Sequence, residues 1–321
     1  MFNPLEELRE RIIREGGFVN AHAHLDRAFT VSRADMILTK NPLMEKWKLV
    51  DEVKRTSSEE DYYQRICYAL RTQQQKGVRA VVTFVDIDPV VELRAIHAGY
   101  RAKEFARSIG MELSLASQTL KGVLSNQSRR LLEMALTEGW LDVIGSLPKA
   151  DDDPDRHLDT VFAMARAARL PIHAHVDQNN TVEEKETELL ARKTISYRME
   201  GRVSAVHSIS LACHPLAYRQ KVYNLSKDAG LGYIACPTAW LDHPRNETLM
   251  PFHNALTPVD ELLANGLNVA IGSDNIHDLY KPFSDGDMFT ELRVLLEGCK
   301  IYNANQLFRI ATQKNPSEDG F

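Results

Sequence analysis

Hydrophobic positions along the chain alternate between short apolar runs and longer amphipathic stretches. The short runs are mostly rich in β-branched residues, as at 78–85 and 267–272, and such runs predict buried strands. We predict strands at 18–23, 78–85, 111–117, 140–147, 170–176, 202–208, 231–236 and 267–273. The amphipathic stretches predict helices at 59–76, 89–109, 127–138, 156–168, 181–200, 213–228 and 257–265, with a last helical stretch at 286–313.

This regular alternation predicts an α/β fold with a parallel sheet. Glycines such as Gly77 and Gly110 stand between a helical pattern and the next strand, where a helix C-cap is expected. Eight strand–helix units close a parallel sheet, so we predict a TIM (β/α)8 barrel. The segment 31–58 is a long insertion between the first strand and its helix, and its length suits a lid.

The composition is that of one ordinary globular domain covering residues 1–321, with 44% hydrophobic and 26% charged residues. A net charge of −5 gives no basic face for nucleic acid or for an anionic membrane. The four scattered cysteines indicate reduced thiols rather than a disulfide framework. No apolar run is long enough to span a bilayer, and the N-terminus is too charged for a signal peptide, so we expect a cytoplasmic protein.

Histidines and one acid follow the apolar runs where strands end. His22 and His24 lie two residues apart in the first strand, so their side chains point to the same face. His175, His207 and Asp274 end three other predicted strands, and the C-terminal ends of barrel strands meet at one rim. Three histidines with one carboxylate leave a position open on a divalent metal, as a catalytic site requires. A metal there would lower the pKa of a bound water and create a hydroxide nucleophile.

Further polar residues end predicted strands at the same rim. A single histidine at such a position is more often a satisfied polar residue than a ligand, but several in register favour a functional site. These further residues are Asp86, Asp88, Gln118, His173, Asp177, Gln178 and Asn275.

Four segments together resemble the metal signature of the amidohydrolase superfamily. They read Val-Asn-Ala-His22-Ala-His24-Leu-Asp26, Ile-His-Ala-His175-Val-Asp177, Val-Ser-Ala-Val-His207-Ser and Gly-Ser-Asp274-Asn-Ile-His-Asp. The chain is most similar to the branch that contains cytosine deaminase and N-isopropylammelide isopropylaminohydrolase, above all in Ser273-Asp274-Asn275-Ile-His-Asp278-Leu-Tyr-Lys-Pro-Phe. The resemblance runs from the first predicted strand to residue 312, and it is specific for the superfamily rather than for a substrate.

The resemblance implies that His22, His24, His175 and Asp274 bind one divalent metal ion. We expect Zn²⁺, with Fe²⁺ as the alternative, because histidine and carboxylate ligands suit both ions. Asp274 would also accept a proton from the metal-bound water. His207 would stand beside the metal and polarise the substrate.

The same resemblance gives candidates for substrate binding. Gln118 matches a glutamine that hydrogen-bonds a ring carbonyl in these relatives. Arg27, where the isopropylammelide enzyme has lysine, would reach a substrate carbonyl or carboxylate, or else pair with a loop acid. His173 and Asn275 are further candidates at the same rim.

Three departures from the relatives stand out. Gln178 occupies the position of a glutamate that shuttles protons, and an amide cannot act as a general acid or base. Either Asp177, His173 or His207 takes the proton, or the reaction differs from cytosine deamination, or activity is lost. Phe84 stands where relatives have histidine, which predicts a more apolar wall. The sequence also has no segment for the accessory β-sandwich that most relatives carry.

We therefore expect a metal-dependent hydrolase that cleaves a non-peptide C–N bond of a small nitrogen heterocycle resembling a pyrimidine or an s-triazine. It would release ammonia or an amine after attack by a metal-bound hydroxide. One alternative is ring opening of a cyclic amide, and another is a catalytically impaired barrel that binds metal or ligand. A homo-oligomer is compatible with such a barrel but has no signature in this sequence.

Two polar segments outside the rim motifs complete the predictions. Lys149 ends the fourth predicted strand, where a carbamylated lysine bridges two metals in binuclear members of the superfamily, but the nearer relatives use a single metal. We interpret Asp151, Asp152 and Asp153 as solvated loop charges.

Overall fold

The computed structural model describes residues 3–32, 36, 43–239 and 256–317. Eight strands lie side by side, and every pair of hydrogen-bonded neighbours is parallel. The strands are β1 (Phe18–Ala23), β2 (Val78–Asp86), β3 (Glu112–Gln118), β4 (Ile144–Ser146), β5 (Ile172–Val176), β6 (Val203–His207), β7 (Gly232–Ala235) and β8 (Val269–Ile271).

Two seams close the strands into a barrel. Between β3 and β4 the backbone pairs Ala116 with Val143. Between β8 and β1 the pair is Ala23 with Asp274, and the Asp274 N–H donates to the carbonyl oxygen of His22 at 2.9 Å. The predicted α/β barrel is therefore confirmed. Within the described ranges no strand lies outside these eight, so no β-sandwich accompanies the barrel there.

Helices follow the strands on the outside of the barrel, close to the predicted positions. They are α1 (Pro4–Arg14), α2 (Leu43–Thr56), α3 (Glu59–Gln75), α4 (Arg94–Ser108), α5 (Asn126–Thr137), α6 (Pro154–Ala168), α7 (Glu186–Ser196), α8 (Leu216–Asp228), α9 (Val259–Ala264), α10 (Met288–Cys299) and α11 (Ala304–Thr312). The last predicted stretch is two helices, because Lys300 adopts a left-handed conformation and Asn303 caps a new N-terminus. None of the described helices is both long and apolar enough to cross a membrane.

Two helices were not predicted. The Asn3 side chain caps α1 by accepting from the N–H groups of Leu5 and Glu6, both at 3.2 Å, and Pro4 occupies the first turn, which favours helix initiation. Helix α2 lies within the predicted 31–58 insertion. Residues 33–35 and 37–42 of that insertion lie outside the described residues, so its role as a lid stays a prediction.

The core has an outer layer and an interior. Between strands and helices lies one large cluster of buried aliphatic and aromatic side chains, while smaller clusters fill the barrel itself. Strand β1 is buried at every position, as expected for a parallel strand covered on both faces. At Gly145 in β4 an added Cβ would lie 1.8 Å from the Ser117 carbonyl oxygen, so only glycine permits this approach of β4 to β3.

Candidate metal centre and substrate cavity

The first, fifth and eighth strands bring four potential metal ligands together at the C-terminal mouth of the barrel. Ligand nitrogens of His22, His24 and His175 all lie within 4.8 Å of one another. The Oδ1 atom of Asp274 lies 3.5 Å from His22 Nε2 and 3.2 Å from His24 Nε2. The predicted ligand set is therefore assembled in one place by the closure of the barrel.

The imidazoles of this cluster have nitrogen atoms with no partner in the part of the chain that the structure describes. Both ring nitrogens of His22 and the Nε2 atom of His175 are buried without a hydrogen bond. The Nδ1 atom of His175 faces the Ser146 carbonyl oxygen at 3.3 Å, so an Nδ1–H donor leaves an Nε2 lone pair for a metal. Buried nitrogens without a partner are costly unless something else satisfies them, and these atoms fit one divalent cation.

The electrostatics of the cluster suit metal ligation. Burial lowers the pKa of His24 and of His175 well below the ordinary value, so both rings are neutral and can donate a lone pair. Burial alone would raise the pKa of Asp274, but the His22 and His24 contacts outweigh it and hold that pKa well below its usual range. The acid is therefore ionised and balances the charge of a cation.

The Phe84 ring forms an apolar support for the cluster. It packs edge-on against the rings of His22 and His175, with centroid distances of 4.5 and 4.7 Å. The side chain is fully buried in the barrel interior. This placement agrees with an apolar wall at the position where relatives have histidine.

His207 stands next to the cluster at the end of β6. Its ring centroid lies 5.5 Å from that of His22 and 5.4 Å from that of His175. Burial lowers the pKa of His207 to about 3, although the Asp274 charge acts in the opposite direction. His207 and Asp274 have φ values of 75° and 57°, a left-handed conformation that side chains other than glycine adopt rarely and that concentrates at functional sites.

A cavity of about 50 Å³ opens over the cluster, which is room enough for ordered water beside a metal. The amides of Gln118 and Gln178 line this cavity, and the Gln118 Oε1 and Gln178 Nε2 atoms are buried without a hydrogen-bond partner among the described residues. The wall thus presents one acceptor and one donor. The predicted site residues that line the cavity are His24, Arg27, Gln118, His175, Gln178, His207, Asp274 and Asn275.

Arg27 is held in a buried ion-pair network while it lines the cavity. Its Nη1 atom lies 3.4 Å from both carboxylate oxygens of Asp86, and its Nε atom lies 3.8 Å from Asp278 Oδ2. Burial opposes the charge of Arg27, but the Asp86 carboxylate raises its pKa above the ordinary value, so the guanidinium stays cationic. Asn275 donates to the same Asp278 carboxylate. Arg27 thus pairs with acids and also lines the cavity, while its contact with a substrate stays a prediction.

Asp177 and His173, predicted as a catalytic and a substrate-binding residue, do not line the cavity, and this placement differs from the prediction. The Asp177 carboxylate accepts from the N–H groups of Glu186 and Thr187, at 2.6 and 3.1 Å, and so caps the start of α7. Its φ of 51° accompanies this turn away from the barrel mouth. His173 shares a face with His175 but lies two residues deeper, fully buried inside the barrel and away from the cavity lining.

Other wall residues were not predicted. Tyr280 and Lys281 line the cavity from the segment after β8, together with the apolar side chains of Leu120, Leu147 and Ala239. Segment 278–281 follows β8 without regular structure, and no period or spacing in the sequence marks its side chains as facing a site.

Lys149 and the three aspartates at 151–153 lie outside the cavity lining and differ in burial and in partners. Lys149 pairs with Glu184 at 2.9 Å and does not line the cavity. Asp151 is a half-buried partner of His157 rather than a solvated loop charge, which corrects that interpretation. Asp152 and Asp153 are exposed, and Asp153 caps α6.

Comparisons with known proteins identify the family of this chain. Residues 34–312 match the amidohydrolase family. The chain is 47% identical over 261 residues to an uncharacterized protein of Haemophilus influenzae, a match that covers 80% of this chain and 94% of that protein. It is 26% identical over 278 residues to the N-isopropylammelide isopropyl amidohydrolase of Pseudomonas sp. (strain ADP), which covers 85% of this chain and 65% of the relative.

A solved structure has the same fold. The 5-methylcytosine deaminase from Klebsiella pneumoniae superposes with a TM-score of 0.85 at 24% identity, over 94% of this chain and 74% of the deaminase. The suspected relationship to this branch is therefore confirmed. The chain belongs to the amidohydrolase family and is, at that level, a hydrolase of carbon–nitrogen bonds.

Proposed function

We propose that this protein is a mononuclear metal-dependent amidohydrolase that removes ammonia or an amine from a pyrimidine- or s-triazine-like heterocycle. The observation that carries the proposal is the compact group of His22, His24 and His175, with unpartnered buried nitrogens and the Asp274 carboxylate beside it. Neutral imidazoles and a carboxylate are a ligand set for Zn²⁺, with Fe²⁺ as the alternative. A bound divalent cation supplies the Lewis acidity that makes water nucleophilic at neutral pH.

Asp274 and His207 are the proposed proton-handling residues. Asp274 is ionised and can accept a proton at its carboxylate as the nucleophile forms. Asp177 and His173 lie away from the cavity, so His207 is the remaining member of the three proton carriers considered from the sequence. A neutral His207 ring on the cavity wall can hydrogen-bond the reacting ring and relay to the leaving nitrogen the proton that Asp274 accepts from water, so that the imidazole ends neutral as it began.

Polar side chains around the cavity would orient the heterocycle. The free acceptor of Gln118 and the free donor of Gln178 match a ring edge that offers both N–H and C=O groups. Arg27 places a fixed positive charge at the same wall, which favours an oxo group or an anionic form of the ring. An oxo-rich planar heterocycle satisfies these groups together.

The named relatives support this substrate class. The Pseudomonas relative is named for N-isopropylammelide, and the Klebsiella structure is that of a 5-methylcytosine deaminase. Both names describe small nitrogen heterocycles. Ring opening of a cyclic amide is the second candidate, because the N–H and C=O groups of a lactam edge match the Gln118 acceptor and the Gln178 donor equally well.

A panel of cytosine, aminopyrimidine, alkylamino-triazine and cyclic amide compounds tests the proposal on metal-loaded protein. Release of ammonia or alkylamine, detected together with the hydroxylated ring by mass spectrometry, is the expected result. A new carboxylate without amine release would favour ring opening. Binding of these rings with no turnover of any of them would contradict the hydrolase and favour a non-catalytic binding barrel.

A further inference from the structure

Ser146, His157 and the half-buried Asp151 form a hydrogen-bonded chain next to the metal cluster, which we call the Ser146 chain. His157 Nδ1 lies 2.7 Å from Asp151 Oδ2, and His157 Nε2 lies 3.0 Å from the hydroxyl of Ser146. Ser146 ends β4, whereas His157 belongs to α6 and is fully buried. The Ser146 chain therefore links the outer helix layer to a strand end of the barrel.

The carboxylate fixes the direction of one bond in this chain. An ionised carboxylate only accepts, so Asp151 accepts from the Nδ1–H group of His157. The Nε2 atom of His157 then exchanges a hydrogen bond with the Ser146 hydroxyl, which can donate or accept. The carbonyl oxygen of the same Ser146 faces Nδ1 of His175 at 3.3 Å. The Ser146 side chain thus contacts His157, and its backbone carbonyl oxygen contacts His175.

Asp151 also holds a second segment of the cavity wall. Its Oδ2 atom accepts from the Val123 N–H at 2.8 Å, and its Oδ1 atom from the Leu124 N–H at 3.4 Å. At Gly122, with φ of +72°, an added Cβ would lie 2.1 Å from Asp151 Oδ1, so the loop closes around the carboxylate only because this residue is glycine. The same loop follows Gln118 and carries Leu120, both of which line the cavity.

A serine, a histidine and an aspartate in hydrogen-bonded order can also form a nucleophilic triad. A nucleophile must meet its substrate, but Ser146 is 1% exposed and does not line the described cavity. The three residues therefore have a structural role. The chain ends at the Ser146 carbonyl oxygen, which contacts the predicted metal ligand His175.

We propose that the Ser146 chain positions the metal ligand His175, and that Asp151, His157 and Ser146 are positioning residues for the metal centre. This inference rests on the proposed function, because it assumes that His175 binds a metal. Hydrogen bonds to a ligand histidine fix its tautomer and ring orientation, and their loss weakens metal affinity. Loss of the Ser146 hydroxyl bond lets the strand end and its carbonyl oxygen shift away from the His175 ring.

The test is the Kd for Zn²⁺ of the metal-free full chain, measured by competition with a chromophoric chelator. Ser146→Ala removes only the hydroxyl. His157→Asn keeps an amide donor near the Nδ1 position and loses the bond to Ser146, whereas His157→Gln places its amide near the Nε2 position. We expect Ser146→Ala and His157→Asn to weaken Zn²⁺ binding roughly tenfold, and His157→Gln to weaken it less.

Ser226→Ala is the matched control. Ser226 is a buried serine whose hydroxyl pairs with the Tyr233 hydroxyl at 2.7 Å, and neither residue lines the cavity. The control should lose thermal stability and keep the parent Kd, which separates general destabilisation from loss of positioning. Unchanged Zn²⁺ affinity in folded Ser146→Ala and His157→Asn would overturn this inference alone. A parent chain that takes up no metal would overturn the proposed metal centre and the inference together.

Discussion

The Nε2 atom of His24 and the Oδ1 atom of Asp274 lie 3.2 Å apart, and this contact joins β1 to the residue at the end of β8. The backbone makes the same connection, because Ala23 pairs with Asp274 at the seam. Closure of the barrel and assembly of the metal ligands are therefore one structural event. A ligand that binds these side chains binds the closed barrel and not the unfolded chain.

Metal binding should therefore stabilise the fold. At a free Zn²⁺ concentration one hundred times the Kd we expect a gain of about 2.7 kcal/mol in the free energy of unfolding. Urea unfolding of chelator-treated protein, with and without added Zn²⁺, measures it. Asp274→Asn, which keeps the shape of the side chain and removes its charge, should lose most of this gain. An equal gain in parent and Asp274→Asn would show that Zn²⁺ acts elsewhere.

His207 and Gln178 should affect different kinetic constants. His207→Asn should lower kcat by roughly 10²- to 10⁴-fold, because it removes the proposed proton carrier. Gln178→Ala should mainly raise KM, since its amide orients the ring and carries no titratable proton. Steady-state kinetics on the best substrate of the panel measure both. The account is contradicted if His207→Asn changes only KM while Gln178→Ala abolishes kcat.

Lys281 should be needed for stability as well as for the shape of the cavity. Its ammonium donates to the Ser273 carbonyl oxygen at 2.7 Å and to the Thr238 hydroxyl at 2.6 Å, and it lies 3.5 Å from the buried carboxylate of Glu291. Lys281→Met removes the cation beside that carboxylate and leaves it only the hydrogen bonds from Thr238, which should cost about 3–5 kcal/mol in urea unfolding. The double variant Lys281→Met/Glu291→Gln should recover part of the loss. Equal instability of the single and double variants would argue against the ion pair as the cause.

Glu186 should make stability depend on pH. Burial, with the nearby Asp177 charge, raises its pKa to about 7, which is above the value of an unfolded glutamate. Glu186 therefore binds more protons in the folded state than in the unfolded state between these two pKa values, so its own contribution to stability is greatest below the unfolded pKa and falls as pH rises toward 7. The loss is at most about 3 kcal/mol at 1.36 kcal/mol per pKa unit.

Urea unfolding of the metal-free protein across this range, beside Glu186→Gln, checks the sign and the source. The amide does not titrate, so Glu186→Gln should shift the slope of stability between pH 5 and 7 in the positive direction relative to the parent. The parent slope itself also contains the buried neutral rings of His24 and His207, which make stability rise with pH, so the test is the difference between the two proteins. A Glu186→Gln variant with the same slope as the parent would contradict the assignment.

Much of the fold and the metal cluster could be predicted because both depend on local pattern. Apolar runs mark parallel strands buried on both faces, and a polar residue at the end of such a run lies at the barrel mouth. The two-residue spacing of His22 and His24 fixes a common face. The family resemblance added the grouping of residues from distant strands.

The features that the sequence did not predict depend on backbone turns after strands and on the packing of helices against strands. Asp177 follows β5 as closely as Gln178 does, yet a left-handed φ directs it to the start of α7 and not to the cavity. His157 looks like an ordinary polar residue in an amphipathic helix, and only the packing of α6 against β4 gives it Ser146 and Asp151 as partners. Helix α1 could have been predicted from Asn3 and Pro4, a cap and first-turn signal.

The metal content of protein purified without chelator, measured for the parent and for His175→Ala, is the decisive test of the proposed metal centre. His175 contributes one nitrogen to the group of three and touches the rings of both His22 and His207. We expect one equivalent of transition metal per chain in the parent and its loss in His175→Ala. A parent without metal, even after reconstitution with Zn²⁺ or Fe²⁺, would contradict the proposed hydrolase.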